Sequence, residues 1–268
     1  VPVLIVGGGP VGLALAAELG WRGIACELIE QTDGSIVSPK MNEVNARSME
    51  ICRRWGIADK VFNCPFPADF PLDVAFVTSL AGHELSRLPR PGRNSQQPTP
   101  ESPHRMQACS QIWFDPILRK FAASFPTVRL RHHCRLDAFA QNDQGVLAKV
   151  TDLATGQNEE VEADSLVGCD GAGSIVRDQL GIKLAGNPVL TYTTNVIFRT
   201  DNLYALVTRK PGYRHIFLGP EGTWATLVAI NGRDQWRFSI IGSTAKREWS
   251  MDDIHAAIRR AVGVPFNY

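Results

Sequence analysis

The fold is decided by the stretch VLIVGGGPVGL at residues 3–13. Its first four residues are apolar and rich in β-branched side chains, which indicates a short buried strand. A turn of the pattern G-x-G-x-x-G follows at once, and the Ala/Leu-rich segment 13–19 predicts a helix that ends near Gly20. A second strand is predicted over residues 25–29, with Glu30 at its carboxyl end. The order strand, turn, helix, strand predicts a βαβ unit.

Each glycine of this turn has a physical reason to be there. Gly7 permits the tight turn, Gly9 lets the backbone approach a pyrophosphate, and Gly12 lets the helix pack closely on the strand. The N-terminus of the helix supplies free N–H donors and a favourable dipole. Glu30 stands close to the roughly 20-residue spacing at which an acidic side chain accepts hydrogen bonds from a ribose diol. The unit therefore predicts a dinucleotide site for NAD or FAD.

Composition bounds the remaining functions. The chain has 268 residues, 44% of them hydrophobic, and a formal net charge of +1, so it can bury a core and does not attract a polyanion. We therefore expect no nucleic-acid partner and no membrane partner. No apolar run approaches the roughly 20 residues that cross a bilayer, and no secretory signal is visible, so a cytoplasmic protein is expected.

The six cysteines are scattered without C-x-x-C pairs. This spacing argues against a zinc site or a thioredoxin-like motif and fits reduced thiols in the cytoplasm. The sequence also has no H-E-x-x-H and no G-x-S-x-G, which are the usual signatures of metal-dependent and serine hydrolysis. No metal site is predicted, and the expected role of the cysteines is that of small buried hydrophobes.

The remaining chain shows two kinds of pattern. Helical periodicity recurs in four segments, at residues 42–55, 110–123, 175–180 and 251–262. Strand patterns occur at residues 74–78, 83–88, 128–130, 136–140, 146–152, 159–163, 166–169, 191–199, 214–218, 223–229 and 235–241. The segments between 128 and 163 predict a small antiparallel meander. Strands without interleaved helices predict a second, different architecture from about Asn187 onward.

Arg47 lies on the predicted helix 42–55, three residues after Val44 and four before Ile51. This spacing puts a cation on the same stripe as apolar residues and predicts a side chain that faces inward. A snorkelling or salt-bridged arginine fits the same periodicity equally well.

Four motifs, in this order, resemble those of the single-component (class A) flavoprotein aromatic hydroxylases. These are FAD-dependent monooxygenases typified by para-hydroxybenzoate hydroxylase and the phenol hydroxylases. The motifs are the turn at 3–13, NARSMEI at 45–51, Ser110-Gln111, and LVGCDGAGSIVR at 166–177. The resemblance implies an α/β fold, a Rossmann-like FAD/NAD(P)-binding domain with an inserted or second, mainly antiparallel β domain that binds substrate.

The resemblance also implies boundaries and site residues. The FAD-binding domain would comprise residues 1–72 and 105–186, and the substrate domain residues 73–104 and 187–268. The ADP half of FAD would contact the glycine turn, Glu30 and Gln31, and adenine would meet the backbone of Leu136. The full set of implied cofactor-binding residues is Gly7, Gly9, Pro10, Val11, Gly12, Glu30, Gln31, Arg47, Gln111, Leu136, Asp170, Gly171 and Arg177.

Three of these assignments carry further detail. Arg47 and Gln111 match family positions that contact the phosphate and ribityl region of FAD. Asp170-Gly171 with Arg177 matches the second fingerprint of the family, which is associated with both FAD and the reduced nicotinamide cofactor. An aspartate that caps a turn, with an arginine on a helix surface, is an equally good local interpretation of that fingerprint.

The implied activity is hydroxylation of a phenolic or related aromatic substrate. NAD(P)H would reduce FAD, O₂ would add to the reduced flavin, and the flavin hydroperoxide would deliver one oxygen atom to the ring. Arg237 is the one catalytic candidate, because it lies on the face of its strand opposite Trp236 and Phe238 and could contact flavin or a phenolate. An exposed strand arginine is the alternative.

Other functions remain open at this stage. A third FAD motif of the family, a G-D-A-A-H-like turn, does not occur before Tyr268, so the chain is expected to be C-terminally incomplete. Another FAD-dependent oxidoreductase of the same fold and a non-catalytic FAD-binding fragment are the alternatives, and a simple NAD dehydrogenase is the weakest. The sequence does not identify the aromatic substrate. It also does not decide whether the reductant is NADH or NADPH, or whether the protein is a monomer or a homodimer.

Overall fold

The computed structural model describes residues 1–201, 203–207 and 209–268. The helices of these residues are α1 Pro10–Trp21, α2 Ala46–Arg54, α3 Ala58–Phe62, α4 Gln111–Ala122, α5 Ile175–Gln179, α6 Leu203–Val207 and α7 Met251–Val262. The strands are β1 Val3–Val6, β2 Cys26–Glu30, β3 Glu43–Val44, β4 Val74–Val77, β5 Glu84–Leu88, β6 Gln107–Ala108, β7 Val128–His132, β8 Cys134–Asn142, β9 Gly145–Asp152, β10 Asn158–Ala163, β11 Ser165–Gly168, β12 Thr193–Arg199, β13 Arg214–Gly219, β14 Gly222–Ala229 and β15 Gln235–Ile241.

Two compact units divide the chain. Unit 1 comprises Val1–Met41, Ile51–Val61 and Gln111–Leu184, and unit 2 comprises Asn42–Glu50, Phe62–Ser110 and Ala185–Tyr268. The predicted boundaries of the FAD-binding and substrate domains stay a prediction. In the part of the chain that the structure describes, no helix combines the length and the apolar character needed to cross a membrane.

Unit 1 contains a four-stranded parallel sheet in the order β11-β1-β2-β7. The predicted βαβ unit is present as β1, α1 and β2, which confirms that prediction. Helix α1 begins at Pro10, three residues earlier than expected, because proline at the first helical position lacks the N–H that a helix start would leave unpaired.

The predicted meander is wrong in one strand. β7 was expected to join an antiparallel sheet, but its residues pair in parallel with β2, from Cys26 opposite Val128 to Glu30 opposite His132. The pairing is parallel because helix α4 precedes β7. A helical crossover lets the chain enter β7 in the same direction as β2. The antiparallel sheet is the three-stranded one formed by β10, β9 and β8.

The two sheets of unit 1 share one hydrophobic core. Leu4 and Ile29 of the parallel sheet pack in the same cluster as Leu136 and Val150 of the antiparallel sheet and Val176 of α5. All five side chains are less than 7% exposed. This burial fixes the glycine turn after β1 against the second sheet.

Helix α2 is shorter than its periodicity predicts. It begins at Ala46, because Glu43–Val44 forms a strand that pairs with Gln107–Ala108. It ends at Arg54, and Gly56 follows with a φ of 74°, a conformation that favours glycine.

Unit 2 contains a six-stranded sheet in the order β12-β15-β14-β13-β4-β5. The strands after residue 187 pair antiparallel as predicted, and β13 pairs in parallel with β4, which brings β4 and β5 into the same sheet. One face of the sheet is covered by apolar side chains, among them Phe217, Trp236 and Phe238, and Ile258 of α7 packs with them.

His215 is a titratable side chain in the core of unit 2. It is fully buried, its ring lies 5.7 Å from the ring of Tyr204, and neither ring nitrogen has a hydrogen-bond partner. Burial, together with the nearby guanidinium groups of Arg87 and Arg209, lowers the pKa of His215 to about 3, although the Glu84 carboxylate opposes the shift. The imidazole is therefore neutral in the folded protein at neutral pH.

We expect His215 to make the protein less stable in mild acid. A histidine in the unfolded chain has a pKa of about 6.5. Below that pH the unfolded state binds a proton at His215 that the folded state does not bind, so the free energy of unfolding falls by about 1.4 kcal/mol for each unit by which the pH is lowered. Denaturant unfolding of the wild type and His215→Leu from about pH 7.5 to 4.5 checks this. The variant should show a flatter pH dependence, whereas His83→Leu, a change at an exposed histidine, should keep the wild-type slope. Parallel curves for wild type and His215→Leu would contradict the assignment.

Candidate functional site

The glycine turn between β1 and α1 is shaped by close backbone contacts. Gly7 has a φ of 107°, and a Cβ atom there would lie 2.5 Å from the carbonyl oxygen of Cys169. A Cβ atom at Gly12 would lie 1.9 Å from the carbonyl oxygen of Gly7. Any larger residue at these two positions would push the turn away from β11 or from α1, so the fold itself requires glycine there.

Gly9 is different, because a Cβ atom there would meet nothing within 4 Å. It is the N-cap of α1, no side chain caps the helix, and its first turn holds no acidic residue. Leu13 makes the first backbone hydrogen bond of the helix, 2.9 Å to the carbonyl oxygen of Gly9, so the N–H groups before it point outward. An uncapped helix N-terminus beside open space is a site for an anion such as phosphate.

A cavity of about 620 Å³ in unit 1 opens onto this helix end. Its volume lies in the range of small-molecule sites. Lys40 and Arg135 are basic residues on its wall, and the guanidinium of Arg135 also donates to Asp137 at 2.7 Å. The predicted site residues that line the cavity are Gly7, Gly9, Pro10, Val11, Glu30, Gln31, Gln111, Leu136, Asp170 and Gly171.

The other predicted residues lie elsewhere. Gly12 is buried behind the turn, where it allows the close packing described above. Arg177 is not among the residues that line the cavity; its guanidinium donates to the carboxylate of Asp178 at 3.2 Å. Arg47 and Arg237 belong to unit 2.

Glu30 is held in place by protein donors. One carboxylate oxygen accepts from the N–H of Gly8 at 2.7 Å, and the other accepts from the N–H and the hydroxyl of Thr32, both at 2.8 Å. A carboxylate has about four acceptor sites, so a sugar hydroxyl has room for about one more bond. Glu30 thus ties the second glycine of the turn to the end of β2, in addition to any ligand that it holds.

Gln111 connects the loop after β2 to α4. Its side-chain oxygen accepts from the N–H of Lys40 at 2.8 Å, and its own N–H donates to the carbonyl of Met41 at 2.9 Å. Its amide nitrogen donates to the carboxylate of Asp115 at 2.9 Å. Asp115 is fully buried, and burial raises its pKa to about 6. Sequence analysis missed Asp115; its spacing of one helical turn from Gln111 is the signal that was available.

Asp170 and Ser174 organise the turn that follows β11. The Asp170 carboxylate accepts from the Ser174 hydroxyl at 2.6 Å and from the N–H of Val176 at 3.2 Å. Ser174 in turn caps α5 by accepting from the N–H of Arg177 at 3.0 Å. Gly171 has a φ of 82°. The hydrogen bonds of Asp170 are therefore those of an aspartate that caps a turn. Asp170 also lines the cavity, so the same residue remains a candidate for the cofactor site.

Arg47 does not face inward as its spacing predicts. Its side chain is 79% exposed, and its guanidinium donates to Glu50 at 2.8 Å. The alternative of a salt-bridged surface arginine describes this state, because the helix begins only at Ala46 and Arg47 lies in its first turn. Whether Arg47 contacts a cofactor stays a prediction.

Arg237 is half-buried rather than exposed. Its neighbours on β15, Trp236 and Phe238, are each 1% exposed and lie in the core, so strand alternation puts Arg237 on the opposite face with Ser239. Burial lowers the pKa of Arg237, and the nearby charge of Arg214 acts in the same direction. Whether Arg237 contacts flavin or substrate stays a prediction.

The residues present in unit 1 fit a dinucleotide. The uncapped end of α1 and the open space at Gly9 suit a diphosphate, and Glu30 suits a sugar hydroxyl.

Comparison with known proteins agrees with this geometry. A family profile described as "FAD binding domain" matches residues 1–266. The chain belongs to this family. The membership confirms FAD as the cofactor, the predicted α/β FAD-binding fold with a second sheet domain, and the resemblance to FAD-dependent aromatic hydroxylases.

Several relatives of this FAD-binding chain are enzymes by name. It is 33% identical to the tetracenomycin A2 monooxygenase-dioxygenase of Streptomyces glaucescens, over 99% of this chain and 51% of the relative. It is 29% identical to the 2,4-dichlorophenol 6-monooxygenase of Delftia acidovorans, over 79% of this chain and 36% of the relative. A solved structure of the rebeccamycin biosynthetic enzyme RebC with reduced flavin matches with a TM-score of 0.89 and 36% identity, over 99% of this chain and 50% of RebC. The chain thus spans about half the length of such relatives or less.

The two glycines give a matched test of the cofactor site. Gly9→Ala should leave the free energy of unfolding within about 1 kcal/mol of wild type, because its methyl group meets open space, and should weaken FAD binding roughly tenfold by occupying the phosphate position. Gly12→Ala should lower the melting temperature, because its methyl group meets the Gly7 carbonyl. Thermal melts and FAD titration by fluorescence measure both effects. Unchanged FAD affinity in a folded Gly9→Ala protein would place the diphosphate elsewhere.

Proposed function

We propose that the protein carrying this chain hydroxylates a phenolic or related aromatic substrate with NAD(P)H and O₂. The observation that supports this most is the cavity at the uncapped end of α1 in a chain of the FAD binding domain family. Relatives named as a tetracenomycin A2 monooxygenase-dioxygenase and a dichlorophenol monooxygenase act on aromatic compounds by their names. The chemistry that FAD would supply when bound is to accept a hydride from NAD(P)H and to transfer one oxygen atom of O₂ to an electron-rich ring, while the second oxygen atom leaves as water.

In this proposal, different residues of the cavity bind different parts of FAD. Backbone N–H groups at the start of α1, next to Gly9, would bind the diphosphate, and Lys40 on the cavity wall would add a positive charge. Glu30 and Gln31 would bind the sugar of the ADP half, and the backbone at Leu136 would meet adenine; all three residues line the cavity. Gln111 and Asp170 shape the wall through the hydrogen bonds described above.

The sheet of unit 2 supplies the substrate wall in this proposal. Arg237 and Ser239 lie on the face of the sheet opposite its apolar core, and Ser239 donates to the side chain of Asn195 at 2.6 Å. A half-buried guanidinium suits a phenolate oxygen. The substrate domain of this proposal comprises residues 73–104 and 187–268, and the FAD-binding domain residues 1–72 and 105–186.

The proposal also places the protein in the cytoplasm. None of the six cysteines forms a disulfide, and five of them are buried, which fits a reducing compartment.

Arg47→Ala tests the predicted phosphate contact. An exposed salt bridge contributes little to stability, so the substitution should leave unfolding almost unchanged and weaken FAD binding several-fold if the arginine holds the cofactor. Arg53→Ala, at an exposed position of the same helix, should change neither. Flavin affinity and denaturant unfolding measure the two effects. Equal flavin retention in both variants would remove Arg47 from the site.

The activity itself is tested on the protein in its full natural length. Purified protein should hold FAD, phenols should stimulate NAD(P)H oxidation, and mass spectrometry should detect hydroxylated product. Arg237→Gln should raise the KM for the phenol roughly tenfold without changing FAD content, because a charge-assisted hydrogen bond is lost. Arg199→Gln is the control, since Arg199 is 66% exposed and pairs with Asp234. NAD(P)H oxidation without hydroxylated product would instead support a non-oxygenase flavin enzyme.

A further inference from the structure

Two buried thiols lie side by side in unit 2. Cys64 follows α3 and Cys109 follows β6, and their side chains hydrogen-bond to each other. The sulfur of Cys64 also lies 3.3 Å from the carbonyl oxygen of Ala108. Cys64 is 4% exposed, whereas Cys109 is fully buried. Cys64 is therefore the more exposed residue of the pair.

Arg93 holds a positive charge beside this pair. Its guanidinium lies 3.6 Å from the Cys64 sulfur and is fixed by bonds to two carbonyl oxygens, 3.3 Å to that of Cys64 and 2.9 Å to that of Phe66. The orientation is therefore set by the backbone and does not depend on the thiol. A fixed cation beside a sulfur favours the thiolate, which is the nucleophilic form.

The other cysteines show that this environment is particular to Cys64. The hydrogen bond from Cys109, together with Arg93, lowers the pKa of Cys64 to about 6. Cys52 is as buried, at 1% exposed, and burial raises its pKa to about 11. Cys169 is more exposed, and burial with the Asp170 carboxylate raises its pKa.

We propose that Cys64 and Cys109 form a reversible redox pair that hydrogen peroxide closes into a disulfide. The Cys64 thiolate attacks one oxygen of the peroxide, the O–O bond breaks, and Cys64 becomes a sulfenic acid as hydroxide leaves and takes up a proton to form water. The Cys109 thiol then attacks the Cys64 sulfur, the S–O bond breaks, and a second water leaves with the thiol proton. Two thiols lose two electrons in total, and one peroxide is reduced to two waters.

The bond would join two distant parts of unit 2. It would enclose β4, β5 and the segment between them in a covalent ring that ends next to Ser110, whose hydroxyl donates to Asn42 at 3.0 Å. Cross-linking restricts the unfolded chain, so the oxidised protein should melt at a higher temperature than the reduced one. The proposal does not depend on the proposed hydroxylase activity, because its test involves neither flavin nor substrate turnover.

The experiment treats the reduced wild-type protein with hydrogen peroxide and follows thiol number and tryptic peptides by mass spectrometry. We expect the loss of two thiols, a peptide cross-linked between Cys64 and Cys109 with the mass of two hydrogen atoms missing, and full reversal by dithiothreitol. Cys64 should react roughly tenfold faster than Cys52. Oxidation confined to Cys169, or sulfinic acid at Cys64 without a cross-link, would overturn the proposal.

Three variants assign the roles of the two thiols. In Cys109→Ser, dimedone should trap a sulfenic acid on Cys64, whereas in Cys64→Ser Cys109 should stay reduced. Cys52→Ser should form the cross-link at the wild-type rate. The wild-type peptide map decides whether the bond forms even where a variant fails to fold. Trapping on Cys109 in Cys64→Ser would overturn the proposed order of attack.

Discussion

The close approach of backbone at the glycine turn is the constraint on which the rest of unit 1 depends. Gly12 lies where a Cβ atom would meet the carbonyl of Gly7, and Gly7 lies where one would meet the carbonyl of Cys169. Three segments, the ends of β1 and β11 and the start of α1, are therefore in backbone contact. This contact brings the N-terminal end of α1 and the Asp170 turn to the same cavity.

Three of the polar residues predicted to bind the cofactor are also tied to the protein backbone. Glu30 accepts from Gly8 and Thr32, Gln111 accepts from Lys40, and Asp170 accepts from Val176. These bonds hold the side chains before any ligand arrives, and a site that is already ordered loses less entropy on binding. The same residues thus serve the fold and the site, and a variant at Glu30 would disturb both.

Much of unit 1 follows from local sequence. The βαβ unit, the turn and the strand before Asp170 are encoded by short apolar runs and by glycines with a steric role, which act over neighbouring residues. The pairing of β7 was wrong because a strand pattern fixes extended backbone but not the partner, and the partner was set by the helical crossover of α4. The spacing of Arg47 allowed an inward-facing or a salt-bridged side chain, and the structure shows the salt-bridged one, because the helix begins only at Ala46, after two residues that pair with β6.

The sequence by itself determined the βαβ unit, the dinucleotide turn and the family, because these depend on residue types at fixed short spacings. Tertiary structure alone decided which side chains meet across long separations: Asp115 beneath Gln111, Arg135 on the cavity wall, and Cys64 against Cys109. Burial and charge depend on neighbours in space and not on neighbours along the chain. The spacing of residues in the sequence therefore does not predict that a thiol lies beside an arginine, or that an arginine on a strand is half-buried.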